Sequence, residues 1–90
     1  MTVYKKDPNA RLDYTLDWGP WLTPLADTIF SAVWLPSAGI TVDTPTHTTT
    51  TATAWASGGV VGDPEFMTCR ITTTAGRIDD RTVFFKILPR

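Results

Sequence analysis

Hydrophobic and polar residues alternate most regularly near the end of the chain, in residues 66–88. Two runs rich in β-branched and aromatic residues flank Ala75-Gly76-Arg77, and each run places apolar residues at every second position. This period of two is typical of a half-buried strand, and glycine in the connection adopts positive φ at low cost. The residues on the apolar face of the two runs are Met67, Cys69, Ile71, Val83, Phe85 and Ile87. We therefore predict a β-hairpin.

The pattern predicts further short strands earlier in the chain. Residues 12–17 alternate and have an acidic polar side, and residues 28–36, apolar on both faces, are typical of a central strand. Residues 40–42 form a short strand, and residues 46–55 form a threonine-rich strand of loosely specified register at a sheet edge. Between the first two strands, residues 17–24 contain two prolines and a glycine, which favours a tight turn or one helical turn.

Six or seven short strands without a long helix predict an all-β fold. The strand spacing and the lack of a glycine or aspartate repeat favour an immunoglobulin-like β-sandwich over a barrel or a solenoid. Residues 1–11 include three cations and are broken by Pro8, which predicts an extended N-terminal arm without a core of its own. We therefore divide the chain into this arm, 1–11, and a single sandwich domain, 12–90.

Composition and charge narrow the class of protein. The chain has 90 residues, enough for one domain, and a formal net charge of -1 with 19% charged residues, so we expect no nucleic-acid partner. The single cysteine, Cys69, cannot form an internal disulfide, which favours folding in a reducing compartment. No stretch is apolar over the roughly 20 residues of a membrane span, and the first residues lack the apolar core of a signal peptide. We expect no membrane partner.

Few residues are suited to catalysis. His47 lies in a threonine tract with no cysteine or acidic residue at a ligand spacing, and Cys69 lies on an apolar strand face with no cation nearby in sequence. The chain lacks a phosphate-binding glycine loop, a Ser/His/Asp arrangement and a pair of glutamates, since Glu65 is the only glutamate. We therefore expect no enzyme activity and no cofactor.

Asp79 and Asp80, together with aspartates of other loops, are a candidate calcium site of the kind that some β-sandwiches carry. No calcium-binding sequence motif supports this interpretation. A solvated contact of the pair with Arg77 or Arg81 is simpler, so we expect no resident metal.

The four tryptophans are the most suggestive side chains. Trp34 lies in the predicted central strand and belongs to the predicted core. Trp18, Trp21 and Trp55 lie next to turns, where an indole ring can stack on a sugar or form the centre of a protein interface. Packing in the small core is nevertheless the commoner outcome for each ring. A module that binds carbohydrate or a host surface is therefore one alternative function.

Four segments have a recognisable order and spacing: LDYTLDW (12–18), DTIFSAVW (27–34), AWASGG (54–59) and ITTTAGRIDDRTV (71–83). In these segments the chain resembles a family of small tailed-bacteriophage virion proteins described as fibre-tail adaptors. The segments occur in the family's order at near-constant spacing, and the resemblance extends from about Asp7 to the C-terminus.

The resemblance implies a non-enzymatic virion structural protein with an immunoglobulin-like module. Such a protein is present in several copies, as a symmetric homo-oligomer, and connects the tail or neck to fibres or neighbouring structural proteins. Its partners are other phage structural proteins, and it is synthesised in the host cytoplasm and located in the virion. A capsid decoration protein or a head-to-tail connector component of the same fold is the alternative within phage structure.

On this interpretation, partner contacts lie in three places: the arm, the turn that contains Trp18 and Trp21, and the threonine edge of residues 48–53. Each place offers unpaired edge groups or apolar side chains near the surface. The residues predicted to contact a partner are Val3, Tyr4, Lys5, Lys6, Trp18, Trp21, Thr49 and Thr51.

Overall fold

A computed structural model describes residues 2–89 and shows an all-β protein, as predicted. The strands, numbered in chain order, are β1 (Thr2–Lys6), β2 (Leu12–Asp17), β3 (Ile29–Pro36), β4 (Ile40–His47), β5 (Thr51–Gly58), β6 (Pro64–Thr73) and β7 (Ile78–Ile87). A short helix, α1 (Gly19–Leu22), and a 3-10 turn, Thr23–Leu25, connect β2 to β3. Met1, the start of the predicted arm, and Arg90, the end of the predicted domain, lie outside the described residues.

The strands form two sheets that pack against each other. The four-stranded sheet has the order β1-β7-β6-β3, and the three-stranded sheet has the order β2-β5-β4. Tyr14 of β2 meets Phe85 of β7 edge to face, with 5.0 Å between the ring centroids. The apolar side chains of both sheets form one core, so the predicted β-sandwich is confirmed.

The predicted hairpin is also confirmed. β6 and β7 pair antiparallel from Thr72 opposite Ile78 to Pro64 opposite Lys86. Gly76 adopts a φ of 95° in the connecting turn. All six apolar-face residues predicted from the alternation are buried.

The prediction that residues 28–36 form a central strand is wrong, because β3 is an edge strand of its sheet. A regular strand would place Ile29 and Trp34 on opposite faces. A bulge between Ile29 and Ser31 inserts an extra residue, so both side chains are buried on the same face. Phe30 and Val33 are 70% and 53% exposed. Apolar residues on both faces are typical of a buried strand, but here one of those faces is protein surface.

The threonine-rich segment also differs from its prediction. Residues 46–55 are divided between two strands, with a turn after His47, and β5 is the central strand of its sheet rather than an edge. Ala52, Ala54 and Ala56 are fully buried and alternate with half-buried residues. Alanine is only weakly hydrophobic, so its alternation with threonine in this segment is difficult to recognise in the sequence. β4 also continues through residues 43–45, which lie between the two strands predicted at 40–42 and 46–55, by means of a bulge.

The N-terminal segment contributes a strand to this chain's own sheet. β1 pairs in parallel with β7, from Thr2 opposite Val83 to Lys6 opposite Ile87. The Lys6 side chain is fully buried. Residues 2–6 therefore belong to the four-stranded sheet, although their sequence pattern predicts an arm without a core of its own.

Candidate interaction surface

The outer face of the four-stranded sheet carries a row of exposed apolar side chains. Val3 of β1 lies opposite Phe84 of β7, and Phe84 lies opposite Phe66 of β6. These three side chains, which we call the apolar row, are 53%, 37% and 39% exposed. Their neighbours Met67 and Phe85 are buried, as the alternation of side chains along a strand requires. The apolar row therefore lies on the solvent side of three adjacent strands.

Two lysines continue this face beside the apolar row. Lys5 lies opposite Lys86 in the parallel pairing of β1 with β7, two residues beyond Val3 and Phe84. Both side chains are exposed. Like charges directly opposite each other on adjacent strands destabilise a sheet. We call these two residues the lysine pair.

Within residues 2–89 the lysine pair differs from every other cation. The side chains of Lys5 and Lys86 make no hydrogen bond or ion pair among the described residues. The other described cations each have an acceptor: Lys6 has backbone carbonyls, Arg11 has Asp43, Arg70 has Asp80, Arg77 has Asp27, and Arg81 has the Asp17 carbonyl. The described cations whose side chains have no acceptor are thus Lys5 and Lys86, which lie next to the apolar row.

An open groove with a volume of about 410 Å³ lies beside Lys86. Its walls are the loop of residues 61–64 and the last residues of β7, and its lining is mostly apolar. Asp63 is the acidic residue of the lining and belongs to the loop wall. In the loop, Val60 and Val61 are 52% and 50% exposed. The groove extends the apolar surface past the lysine pair.

The structure separates the predicted contact residues of the N-terminal segment. Val3 and Lys5 are exposed on the outer face. Tyr4 is half-buried, with its ring centroid 4.9 Å from that of Tyr14. Lys6 is fully buried, and its Nζ donates hydrogen bonds to backbone carbonyls. Val3 and Lys5 therefore join the outer face, whereas Tyr4 and Lys6 contribute to packing within the chain.

The two tryptophans near α1 pack against each other, with 5.9 Å between their ring centroids, as their i, i+3 spacing predicts. Trp18 is fully buried, and the guanidinium of Arg81 lies 4.1 Å from its ring centroid. Trp21 is half-buried. Of the two tryptophans, Trp18 is therefore a core residue, and only Trp21 reaches the surface.

Of the other two tryptophan rings, Trp34 is buried and Trp55 is half-buried. The burial of Trp34 confirms its prediction as a core residue. The guanidinium of Arg11 lies 4.5 Å from the ring centroid of Trp55. A ring that binds a sugar needs a free face. The core ring of Trp34 has no such face, and Arg11 occupies one side of the Trp55 ring.

Thr49 and Thr51 lie away from the lysine pair. Thr49 is exposed in the turn between β4 and β5, and its carbonyl accepts a hydrogen bond from the Ile29 backbone N–H. Thr51 begins β5, whose opposite end, Gly58, contacts Lys6. The structure therefore places these two threonines at the other end of the sandwich from Val3 and Lys5.

Three residues of the surface are absent from the predicted contacts: Phe66, Phe84 and Lys86. A signal for the two phenylalanines is present in the sequence, since both occupy positions on the polar face of the predicted hairpin. Their proximity to Val3 has no local signal, because it depends on the pairing of β1 with β7.

Two buried carboxylates hold loops at opposite ends of β6. Asp27 accepts hydrogen bonds from the backbone N–H groups of Thr28 and Ala75 and from the Arg77 guanidinium. Burial acts to raise the pKa of Asp27, but these hydrogen bonds and one from Thr73 lower it to about 2.

Glu65 is the second of these carboxylates and lies near the start of β6. It accepts hydrogen bonds from the Ser37 hydroxyl, at 2.8 Å, and from the Val60 backbone N–H, at 3.1 Å. Both carboxylates therefore have structural partners that join separate loops.

The single cysteine is buried, and the described residues form no metal-binding group. Burial raises the pKa of the Cys69 thiol to about 11, which keeps it protonated at neutral pH. Among residues 2–89 no group of three or more His, Cys, Asp or Glu side chains is placed to hold a metal ion. Asp80 forms an ion pair with Arg70, at 2.9 Å, whereas the sequence analysis predicted Arg77 or Arg81 as its partner. In the same residues no helix has the length and hydropathy to cross a membrane.

The fold and the surface define a small all-β module whose outer sheet face exposes apolar and charged side chains. A family model described as podophage GP4 fiber-tail adaptor protein gp77 matches residues 6–86. This match covers most of the chain, which therefore belongs to the podophage fiber-tail adaptor family. The family suspected from the four sequence segments is confirmed. No curated protein matches the sequence.

Proposed function

We propose that this chain is a non-enzymatic adaptor in the tail or neck of the virion, present in several copies, that connects the tail to fibres or to neighbouring structural proteins. The family match over residues 6–86 carries this proposal, since the family consists of phage fiber-tail adaptors. The described surface agrees with an assembly role, because its distinctive features are an apolar row and an unneutralised lysine pair.

The strand order supports an immunoglobulin-like topology for this module. The neighbours β2-β5-β4 and β3-β6-β7 correspond to the BED and CFG sheets of that fold. Trp34 on β3 lies opposite Cys69 on β6, on the strands that carry the core tryptophan and one core cysteine in antibody domains. Cys69 is the single cysteine of the chain, so the corresponding disulfide is absent.

We further propose that the copies form a symmetric homo-oligomer in the virion, because closed symmetry is the common arrangement of proteins that assemble from identical copies. Among the residues predicted to contact a partner, Val3, Lys5 and Thr49 are exposed and Tyr4, Trp21 and Thr51 are half-buried, which supports a role for them in binding a partner of either kind, a second copy or another structural protein. A contact through Lys6 or Trp18 requires local rearrangement, because both side chains are fully buried. The division into residues 1–11 and residues 12–90 stays a prediction.

The partners in this proposal are other structural proteins of the phage, and neither nucleic acid nor a membrane. The net charge of -1 supports this choice, because it provides no field for a polyanion. Synthesis takes place in the host cytoplasm and the mature location is the tail or neck of the virion.

Separation of purified virions into capsids and tail assemblies, followed by quantitative mass spectrometry, tests the proposed function. We expect this chain in the tail fraction, in several copies per particle, and we expect particles made without it to lack fibres. Recovery with the capsid fraction would favour the capsid or connector alternative. Particles that lack the protein but retain their fibres would overturn the adaptor role.

A further inference from the structure

We propose that the apolar row and the lysine pair form one docking site, which binds an extended segment with acidic and apolar side chains from a different structural protein of the particle. This inference rests on the proposed function and names the chemistry of one partner. The site consists of Val3, Phe66 and Phe84 with Lys5 and Lys86, and the groove beside Lys86 continues it.

Charge determines the first requirement on the partner. Lys5 and Lys86 lie opposite each other on adjacent strands, an arrangement that repulsion disfavours unless an anion lies between them. The described part of the chain supplies no such anion, although it supplies an acceptor to each other described cation. An acidic side chain of a partner satisfies both lysines at once. Asp63, the acidic residue of the groove lining, lies on its loop wall and forms no ion pair with Lys86.

Apolar contact determines the second requirement. The three side chains of the apolar row cross β1, β7 and β6 in register, which makes a continuous exposed strip rather than scattered residues. Exposed strips of this kind, rimmed by charge, mark protein interaction sites. The groove of about 410 Å³ gives the partner's next side chains an apolar cavity beyond the lysine pair. A segment with acidic and apolar residues in succession fits this order.

The face is not complementary to itself, which argues against a second copy as the occupant. A two-fold contact places the same face on both sides of the interface. On the outward positions of the four strands, the sole described carboxylate is Asp80, and Arg70 already holds it through two hydrogen bonds. The strands of a second copy would therefore offer the lysine pairs no free carboxylate, and Asp63 on the groove wall is the one acidic side chain that such a contact could bring to them.

Selection from a library of random short peptides against the full-length protein, at low ionic strength, tests the site. The enriched peptides are synthesised and titrated by fluorescence anisotropy. We expect them to combine Asp or Glu with aromatic or aliphatic residues. We also expect their affinity to fall about tenfold in the double variant Lys5→Gln/Lys86→Gln and in Phe84→Ser, and to fall at high salt.

Matched variants separate this site from general charge and hydrophobicity. Arg11→Gln/Arg70→Gln makes the same change in net charge at cations that already have acidic partners. Ile78→Ser is the control for Phe84→Ser. It removes an exposed apolar side chain, 66% accessible, from the other end of β7. We expect both controls to bind the peptides like the parent protein. Circular dichroism and thermal melting establish that each variant is folded.

Three results would overturn the docking site: no enriched peptide, enriched peptides without acidic residues, or equal binding by the lysine variant and its control. A homodimer seen by light scattering that requires Lys5 and Lys86 would overturn the choice of occupant. These results are independent of virion fractionation. Failure of the docking site is therefore distinguishable from failure of the adaptor role.

Discussion

Lys6 donates a hydrogen bond of 2.7 Å from its ammonium to the carbonyl oxygen of Gly58. The contact joins the end of β1 in one sheet to the end of β5 in the other. The same ammonium donates to the carbonyl oxygens of Asp7 and Ala10, at 3.0 Å and 2.6 Å. Desolvation lowers the pKa of this buried lysine, and the charge of Asp7 opposes that shift. Lys6 therefore fastens the N-terminal strand to the body of the sandwich.

Lys6→Met is expected to lower the free energy of unfolding by about 1–3 kcal/mol, because buried carbonyl oxygens lose their donor while the apolar stem is preserved. Urea denaturation followed by tryptophan fluorescence measures this change. The control is Lys5→Met at the exposed neighbouring position, where we expect a change below about 0.5 kcal/mol. Equal losses in the two variants would contradict a special role for the Lys6 ammonium.

Asp27 is expected to make stability depend on pH in the acid range. The pKa of this carboxyl is lowered from 3.8 to about 2 in the folded protein. The folded state thus releases the proton more readily than the unfolded state. The stabilisation is therefore complete above the ordinary pKa and is lost as the pH falls from about 4 to about 2.

The variant Asp27→Asn tests this assignment. We expect a lower melting temperature at neutral pH, by several degrees, and a flatter dependence of stability on pH between about 4 and 2. Asp79→Asn is the control, because Asp79 is exposed and forms no salt bridge among the described residues. An unchanged acid limb in Asp27→Asn would assign the pH dependence to another carboxyl group.

Gly39 is expected to tolerate no side chain while Glu65 is present. A Cβ at this position would overlap the Glu65 carboxylate, which Ser37 and Val60 hold in place. Gly39→Ala should therefore cost about 1–3 kcal/mol in chemical denaturation. In a Glu65→Ala background the same substitution should cost little. A cost that is the same in both backgrounds would show that the clash is not with Glu65.

Cys69 is expected to be unreactive in the folded protein. The thiol is fully buried, and burial raises its pKa to about 11. An aromatic disulfide reagent at mildly alkaline pH should react with about one thiol per chain in denaturant and with almost none under native conditions. Rapid reaction of the native protein would mean that β6 opens readily to solvent.

Local pattern predicted the β6–β7 hairpin because long alternation and a turn glycine specify it within one stretch of chain. The same pattern misassigned β3, since Phe30 and Val33 are apolar in sequence but exposed in the fold. It also missed the central position of β5, whose buried face consists of alanines. Strand order depends on which strands pair, and a single strand carries little information about its neighbours.

The candidate site shows the same division. Phe66 and Phe84 lie on the polar face of the predicted hairpin, so their exposure follows from local alternation. The approach of Val3 and Lys5 to them does not, because β1 and β7 are separated by most of the chain. Burial of Lys6 likewise depends on residues later in the chain, because its Nζ donates to the carbonyl oxygens of Asp7, Ala10 and the distant Gly58.

The sequence by itself determined an all-β chain, the final hairpin and the membership in a phage adaptor family, since alternation and motif order are properties of neighbouring residues. Only the tertiary structure decided that β3 lies at an edge, that Trp18 and Lys6 are buried, and that two lysines meet beside an apolar row. The physical reason is that the alternation of side chains follows from the local backbone, whereas strand pairing and burial depend on residues distant in the chain.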